Sequence, residues 1–169
     1  MTVVAIIQAR MGSSRFPGKM LSPLGPHPIL EWVLRRVKQA RTLDKVVLAT
    51  SDSTADDALA DLARANGATA FRGSETDVLG RFAGAAKEAG ASVVVRICAD
   101  NPFVDSGEID RLVTFFAGSS CDYSCNHQDR LGSRYADGFG AEILSASLLE
   151  SVAAKATEAR HREHVTVYL

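Results

Sequence analysis

The chain is short of several things at once, and each shortage excludes a class. It has three cysteines in 169 residues, an odd set (Cys98, Cys121, Cys125) that cannot close into a full disulfide framework. A chain of this length buries enough core to stand without one. It lacks any apolar run approaching the roughly 20 residues of a membrane span, so no membrane partner is expected. Its first residues show no charged and apolar leader, so a reducing cytoplasm is the default compartment. It lacks an excess of either charge: 19 Lys and Arg stand against 20 Asp and Glu, for a net charge of −1. Binding to nucleic acid by counterion release needs a basic surface, so no nucleic-acid partner is expected. No repeat, low-complexity tract or linker interrupts the chain, and residues 1–169 read as a single domain.

What is present is an alternation of short β-branched runs and amphipathic stretches, the pattern of a mostly parallel sheet flanked by helices. Val3 to Gln8 (VVAIIQ) reads as a strand buried on both faces. Pro28 suits the first turn of a helix whose stripe is Ile29, Leu30, Val33, Leu34 and Val37. Lys45 to Thr50 is a second strand. Ser53 with Asp56 resembles a capping box opening a helix that Gly67 ends. Ala68 to Arg72 is a weaker strand, followed by a helix from Thr76 to about Ala89. Ser92 to Ile97 is a central strand, and Asp105 with Glu108 starts the next helix. A short strand is expected at Asp122 to Ser124 and another at Phe139 to Leu144. Ser147 and Glu150 cap a further helix, and the final HREHVTVYL has helical character. The expected architecture is α/β, a three-layer α/β/α sandwich.

In such a sheet, ligands bind beyond the carboxyl ends of the strands. Two segments there are chemically unusual. The first, Gln8 to Leu21, reads QARMGSSRFPGKML. Gly12, Ser13 and Ser14 can turn backbone N–H groups toward one point, and Arg10, Arg15 and Lys19 add charge-assisted donors, which suits phosphate. It is not a Walker A loop, because five residues separate Gly12 from Gly18-Lys19 and Met20 stands where a hydroxyl would hold Mg²⁺. It is not a dinucleotide fingerprint either. The plain alternative is a basic surface loop. The second segment is Cys98-Ala99-Asp100-Asn101-Pro102. A carboxylate at the tip of a buried strand is a natural ligand for a hard cation. Asp-Asn-Pro is also turn chemistry, yet Asp105 is better placed to cap the helix, which leaves Asp100 for the cation.

Strand-A-R-x-G-S-S-R-x-P-x-K resembles the signature loop of the cytidylyltransferases that make CMP-activated sugars, the acylneuraminate and keto-deoxyoctulosonate type. It is most similar to their spore-coat polysaccharide biosynthesis branch. The likeness continues in order through KVVLATS, FRGSETDVLGRF, VVVRICADNPFVD and REHVT, nearly the whole chain. It implies the nucleotide-diphospho-sugar transferase fold, CTP as substrate and Mg²⁺ as cofactor. It also implies that Arg10, Gly12, Ser13, Arg15 and Lys19 hold the triphosphate, with Arg10, Lys19 and Asp100 as catalytic residues and Asp100 on the metal. Arg72, Gly73, Ser74 and Asp77 correspond to a segment lining the nucleotide pocket, although Ser74 or Thr76 as a helix cap explains part of it equally well. Glu142 matches a second acidic position, with Asp137 nearby, while Gly140 stands where relatives often carry Asp. The REH stretch adds His164 near the sugar or a subunit interface, and a homodimer is implied. Relatives usually continue beyond REHVT, so a C-terminal extension is expected to be lacking here.

Arg134 and Tyr135 are further candidates for an acidic sugar. Cys121, Cys125 and His127 lack a second ligand pair, so zinc is not expected. The reaction implied is attack of a sugar hydroxyl on the α-phosphorus of CTP with loss of pyrophosphate. Two other readings stay open. One is an enzyme of the same fold that uses another nucleotide or transfers a glycosyl group, although no D-x-D element supports the latter. The other is a nucleotide-binding or scaffold protein without turnover.

Overall fold

The structure, a computed structural model, describes residues 1–12, 16–126 and 138–169. Ser13, Ser14, Arg15, His127, Arg134, Tyr135 and Asp137 lie outside the described residues. Strand β1 (Val3–Gln8) lies between β4 (Lys45–Ser51) and β6 (Val93–Cys98), parallel to both. β5 (Thr69–Gly73) extends the sheet in parallel beyond β4. On the other side β8 (Glu142–Ser145) runs antiparallel to β6, and β7 (Tyr123–Cys125) antiparallel to β8. Among the described residues the order is β5-β4-β1-β6-β8-β7. A two-residue hairpin, β2 (Pro23–Leu24) with β3 (His27–Pro28), stands apart.

Period-2 alternation explains the three layers. Val3, Ala5 and Ile7 of β1 face one side with Val93, Val95 and Ile97 of β6. There they meet α1 (Ile29–Val37), α2 (Asp57–Ala65) and α4 (Ser106–Ala117) through Leu30, Leu34, Leu59, Ile109 and Val113. Val4 and Ile6 face the opposite side. They pack with α3 (Val78–Ala89) and α5 (Ala146–Lys155) through Leu79, Phe82 and Leu149. Each fully buried Val, Leu or Ile is worth about 1.5–3 kcal/mol, so a strand covered on both faces anchors the domain. A short helix α6 (Ala159–Glu163) follows α5.

Three local expectations are corrected. Pro28 is the N-cap of α1 and closes the β2–β3 hairpin. α5 is capped by Ser145, whose Oγ accepts from Leu148 N–H at 3.2 Å, and not by Ser147. The Ser53–Asp56 capping box does not form: Ser53 opens a 3-10 turn (Thr54–Asp56) and the Asp56 carboxylate turns inward. The helical character expected of HREHVTVYL is confined to its first residues, in α6, and the other expected elements agree within three residues.

Candidate active site

From β1 the chain builds β4 and β5 on one side, then returns to β6 on the other. The crevice between the carboxyl ends of β1 and β6 is therefore the topological switch point of the sheet. Their register aligns Gln8 with Cys98, and Ala99 N–H donates to Gln8 O at 3.3 Å. The phosphate-loop candidate and the Asp100 turn thus leave the sheet side by side. They meet: Lys19 Nζ lies 3.2 Å from Asp100 Oδ2, across 81 positions of sequence.

Each partner is set up locally. Gly18 adopts φ 72°, left-handed backbone that a glycine accepts without strain, and turns the chain into a 3-10 turn (Lys19–Leu21). Gly18 N–H donates to Met11 O at 3.2 Å, which closes the neck of the loop. Asn101 N–H bonds Cys98 O at 3.2 Å, folding the turn back on its strand. Asp105 caps α4, its Oδ1 accepting from Glu108 N–H at 3.0 Å. That duty leaves the Asp100 carboxylate half exposed and turned to Lys19.

Arg10 stands at the other rim. Its Nη1 donates to Glu75 O at 3.4 Å, and its Nη2 is 3.9 Å from Glu163 Oε1. It borders a cavity of about 510 Å³ lined by Thr76, Asp77, Ala159, Arg162 and Glu163. Another cavity, about 300 Å³ beside Lys38, Asp44 and Lys45, lies at the start of β4, away from the strands' carboxyl ends. Gly12 approaches the same rim, since a methyl group on it would come within 2.9 Å of Glu75 Oε1.

The end of β5 and the turn after it are used structurally, and the helix cap expected at Ser74 or Thr76 falls on Asp77. Arg72 donates from Nε to Ser51 O at 2.9 Å, from Nη2 to Ser53 O at 2.5 Å, and pairs with Asp57. It thereby ties β5 to the start of α2. Gly73 gives room to Arg81, whose Cγ would stand 3.3 Å from a Cβ there. Ser74 Oγ accepts from Asp77 N–H at 3.2 Å. Asp77 caps α3, its Oδ1 accepting from Gly80 N–H at 2.8 Å, and its other oxygen pairs with Arg162. Burial raises the Asp77 carboxyl pKa, but Arg162 and the Gly80 amide outweigh it and hold the group below the usual carboxylate range.

Arg81, which by resemblance belongs with Asp77 to the nucleotide-pocket region, turns out to hold the backbone of the turn before α3. It is 1% exposed, and its Nη1 donates to Ser74 O and Glu75 O at 2.6 and 2.9 Å. Those are the carbonyls of the turn that also receives Arg10. The signal was available: position 81 falls on the apolar stripe of α3 between Val78 and Phe82, where a solvated charge does not belong.

Glu142 is the second acidic candidate. It is buried in β8 directly opposite Arg96 of β6, and its Oε1 accepts from Arg96 Nη1 at 2.8 Å. One of its oxygens is thereby paired with a half-buried guanidinium. No group of three or more His, Cys, Asp or Glu gathers among the described residues. Mg²⁺ needs only one or two protein carboxylates when phosphate oxygens complete its shell, and Asp100 fits that donor set. His164 is exposed at the end of α6, while His161 stacks edge-on against Tyr168. No helix among the described residues is long and apolar enough to cross a membrane, and no disulfide joins the cysteines.

The comparisons with known proteins agree in kind. A family model described as cytidylyltransferase matches residues 4–169. The spore coat polysaccharide biosynthesis protein SpsF of Bacillus subtilis is 37% identical over 172 residues, which is 99% of this chain and 69% of that protein. The 3-deoxy-manno-octulosonate cytidylyltransferase of Geobacter sulfurreducens is 34% identical over 115 residues, 67% of this chain and 44% of that enzyme. Among solved structures, a cytidylyltransferase from Leptospira borgpetersenii superposes with a TM-score of 0.92 at 35% identity, covering 99% of this chain and 70% of that one. The chain therefore spans a little over two thirds of two of these relatives, and less than half of the octulosonate enzyme.

Proposed function

The chain belongs to the cytidylyltransferase family, and from that premise we propose that it transfers CMP from CTP to a hydroxyl of an acidic sugar, with release of pyrophosphate, in surface polysaccharide biosynthesis. The observation that carries this reading is the meeting of Lys19 and Asp100 at the switch point. One is a cation suited to phosphate and the other a carboxylate suited to the counter-cation of a triphosphate.

The chemistry asks mainly for positioning and neutralisation of charge. The sugar hydroxyl oxygen attacks the α-phosphorus. The bridging bond from that phosphorus to the β-phosphate oxygen breaks, pyrophosphate keeps the electron pair, and the hydroxyl proton leaves to solvent. Lys19 turns from Asp100 to the phosphates, a change that gives up an ion pair worth about 0–1 kcal/mol in so exposed a place. A charge-assisted bond to a phosphate oxygen returns about 1.5–3 kcal/mol. By the family resemblance, Arg10, Gly12, Ser13 and Arg15 complete the set that holds the triphosphate. Arg72, Gly73, Ser74 and Asp77 support the nucleotide pocket by fixing the β5–α3 turn. Mg²⁺, held by Asp100, supplies further neutralisation of the phosphate oxygens when bound. Glu142 is the second candidate ligand named by sequence, and its pairing with Arg96 favours a structural role.

Thermal melts with CTP, UTP, GTP and ATP, each with and without Mg²⁺, test the reading, because a ligand of the native state alone raises the melting temperature. The expected result is a Mg²⁺-dependent shift for CTP and pyrophosphate release on adding an acidic sugar. A shift for a different nucleotide alone would transfer the assignment to a sister activity of the fold. No shift with any nucleotide would remove the catalytic reading. Light scattering reads the homodimer that belongs to the same proposal.

A further inference from the structure

Asp56 is 2% exposed, and its two oxygens are divided between two structures. Oδ2 accepts from Thr50 Oγ1 at 3.0 Å, Ser51 N–H at 3.1 Å and Ser51 Oγ at 2.5 Å, all at the end of β4. Oδ1 accepts from the Met11 N–H at 2.7 Å. One oxygen is fixed to the sheet, and the other holds the entry to the phosphate loop. Burial raises the carboxyl pKa, but the bonds from Ser51, Met11 and Thr50 more than offset it, and the group stays charged.

The contact reaches further than Met11. Met11 O accepts from Gly18 N–H, so the residue that Asp56 pins is also one side of the loop's neck. Gly18 leads directly into Lys19, and Lys19 reaches Asp100. Arg10 and Gly12 flank Met11 on either side. A free loop would have to be ordered when the triphosphate binds, at the expense of affinity. A neck pinned at Met11 and Gly18 is set beforehand.

We propose that Asp56 is a positioning residue for triphosphate binding, acting through Met11 and Gly18 to hold Arg10, Gly12 and Lys19 in place. The inference rests on the cytidylyltransferase reading for its ligand. Only a carboxylate does this work, because two backbone N–H groups converge on it from opposite sides. An asparagine must turn its NH₂ toward either Met11 N–H or Ser51 N–H, and a backbone donor cannot rotate away as a hydroxyl can.

The test compares Asp56→Asn with Thr50→Val. The second variant removes a donor to Oδ2 and leaves the Met11 contact in place. CTP turnover and calorimetric titration of pyrophosphate with Mg²⁺ are measured beside the melting temperature. Both variants should melt earlier. Asp56→Asn should raise the KM for CTP and the Kd for pyrophosphate by about tenfold or more, while Thr50→Val should stay within about twofold of wild type. Unchanged affinity in Asp56→Asn, or losses in both variants that follow their melting temperatures, would overturn the proposal. If Asp56→Asn does not fold, amide exchange in the wild type decides. The Met11 N–H should be protected like a strand amide, and exchange at open-loop rates would overturn the pinning. A wild type that binds neither CTP nor pyrophosphate overturns both readings. A wild type that turns over CTP beside an Asp56→Asn variant with unchanged KM overturns this one alone.

Discussion

Replacing Lys19 by methionine keeps an unbranched apolar stem, removes the ammonium, and separates two jobs the residue could hold. Without nucleotide, its ammonium pairs with Asp100 at 3.2 Å, with the two side chains 33% and 52% exposed. Such a pair contributes about 0–1 kcal/mol. A domain near this size loses about 2–4 °C of melting temperature per kcal/mol. Lys19→Met should therefore melt no more than about 4 °C below wild type. With nucleotide, the same ammonium would donate to phosphate. Losing a bond worth about 1.5–3 kcal/mol weakens triphosphate binding roughly 10- to 150-fold. Charge builds on the departing pyrophosphate, so kcat/KM should fall by about a hundredfold or more. The assay is steady-state pyrophosphate release beside a thermal melt. A variant that melts about 10 °C early and keeps kcat/KM within about threefold would refute the reasoning, since Lys19 would then be a structural cation.

Asp100→Asn should leave the fold unchanged and abolish the Mg²⁺ dependence of CTP binding, so a variant with full Mg²⁺-dependent turnover would remove Asp100 from the metal. Glu142→Gln leaves the half-buried Arg96 guanidinium without its carboxylate and should cost up to about 3–5 kcal/mol in urea unfolding. If it instead kept wild-type stability and lost Mg²⁺-dependent activity, Glu142 would belong to the metal site. Asp56 and Asp77 both have carboxyl pKa values held below the ordinary 3.8. Their stabilisation is complete above that value and is lost as pH falls below it toward the folded-state pKa, where the unfolded chain binds more protons. Melting temperature should therefore fall as the pH drops below about 4, and a flat or rising profile there would contradict the assignment.

The layers were legible because the core carries its own periodicity. β1, β4 and β6 are nearly continuous apolar runs, as strands covered on both faces must be. The helices show their stripes. The β2–β3 hairpin was not legible, because two-residue strands such as Pro23–Leu24 and His27–Pro28 are too short to show a period. The cap of α5 failed for a related reason. Ser145 and Ser147 are equivalent in local pattern, and only the pairing of Ser145 with Val93 at the end of β8 selects it. Asp56 is the sharpest case. An acidic residue three positions after a serine looks the same whether it caps a helix or turns inward to meet Met11, 45 residues earlier.

The site divides along the same line. That the Lys19 loop and the Asp100 turn meet follows from topology: they leave the carboxyl ends of adjacent parallel strands, and the Gln8–Cys98 register sets those ends level. Order along the chain and apolar runs were enough to foresee it. What Arg72, Asp77, Arg81 and Glu142 do follows from which donors and acceptors face each other after packing. Arg72, Asp77 and Glu142 meet partners distant in sequence, Arg81 ties down the turn that precedes its own helix, and a buried polar group left unfilled costs about 1–3 kcal/mol. Residues drawn into such needs look functional in sequence because they are polar and lie at strand ends. The distinction between touching the substrate and holding what touches it is therefore made by packing. Affinity measurements on Asp56 and Lys19 can read it, because the first acts through the backbone of the loop and the second through its own ammonium.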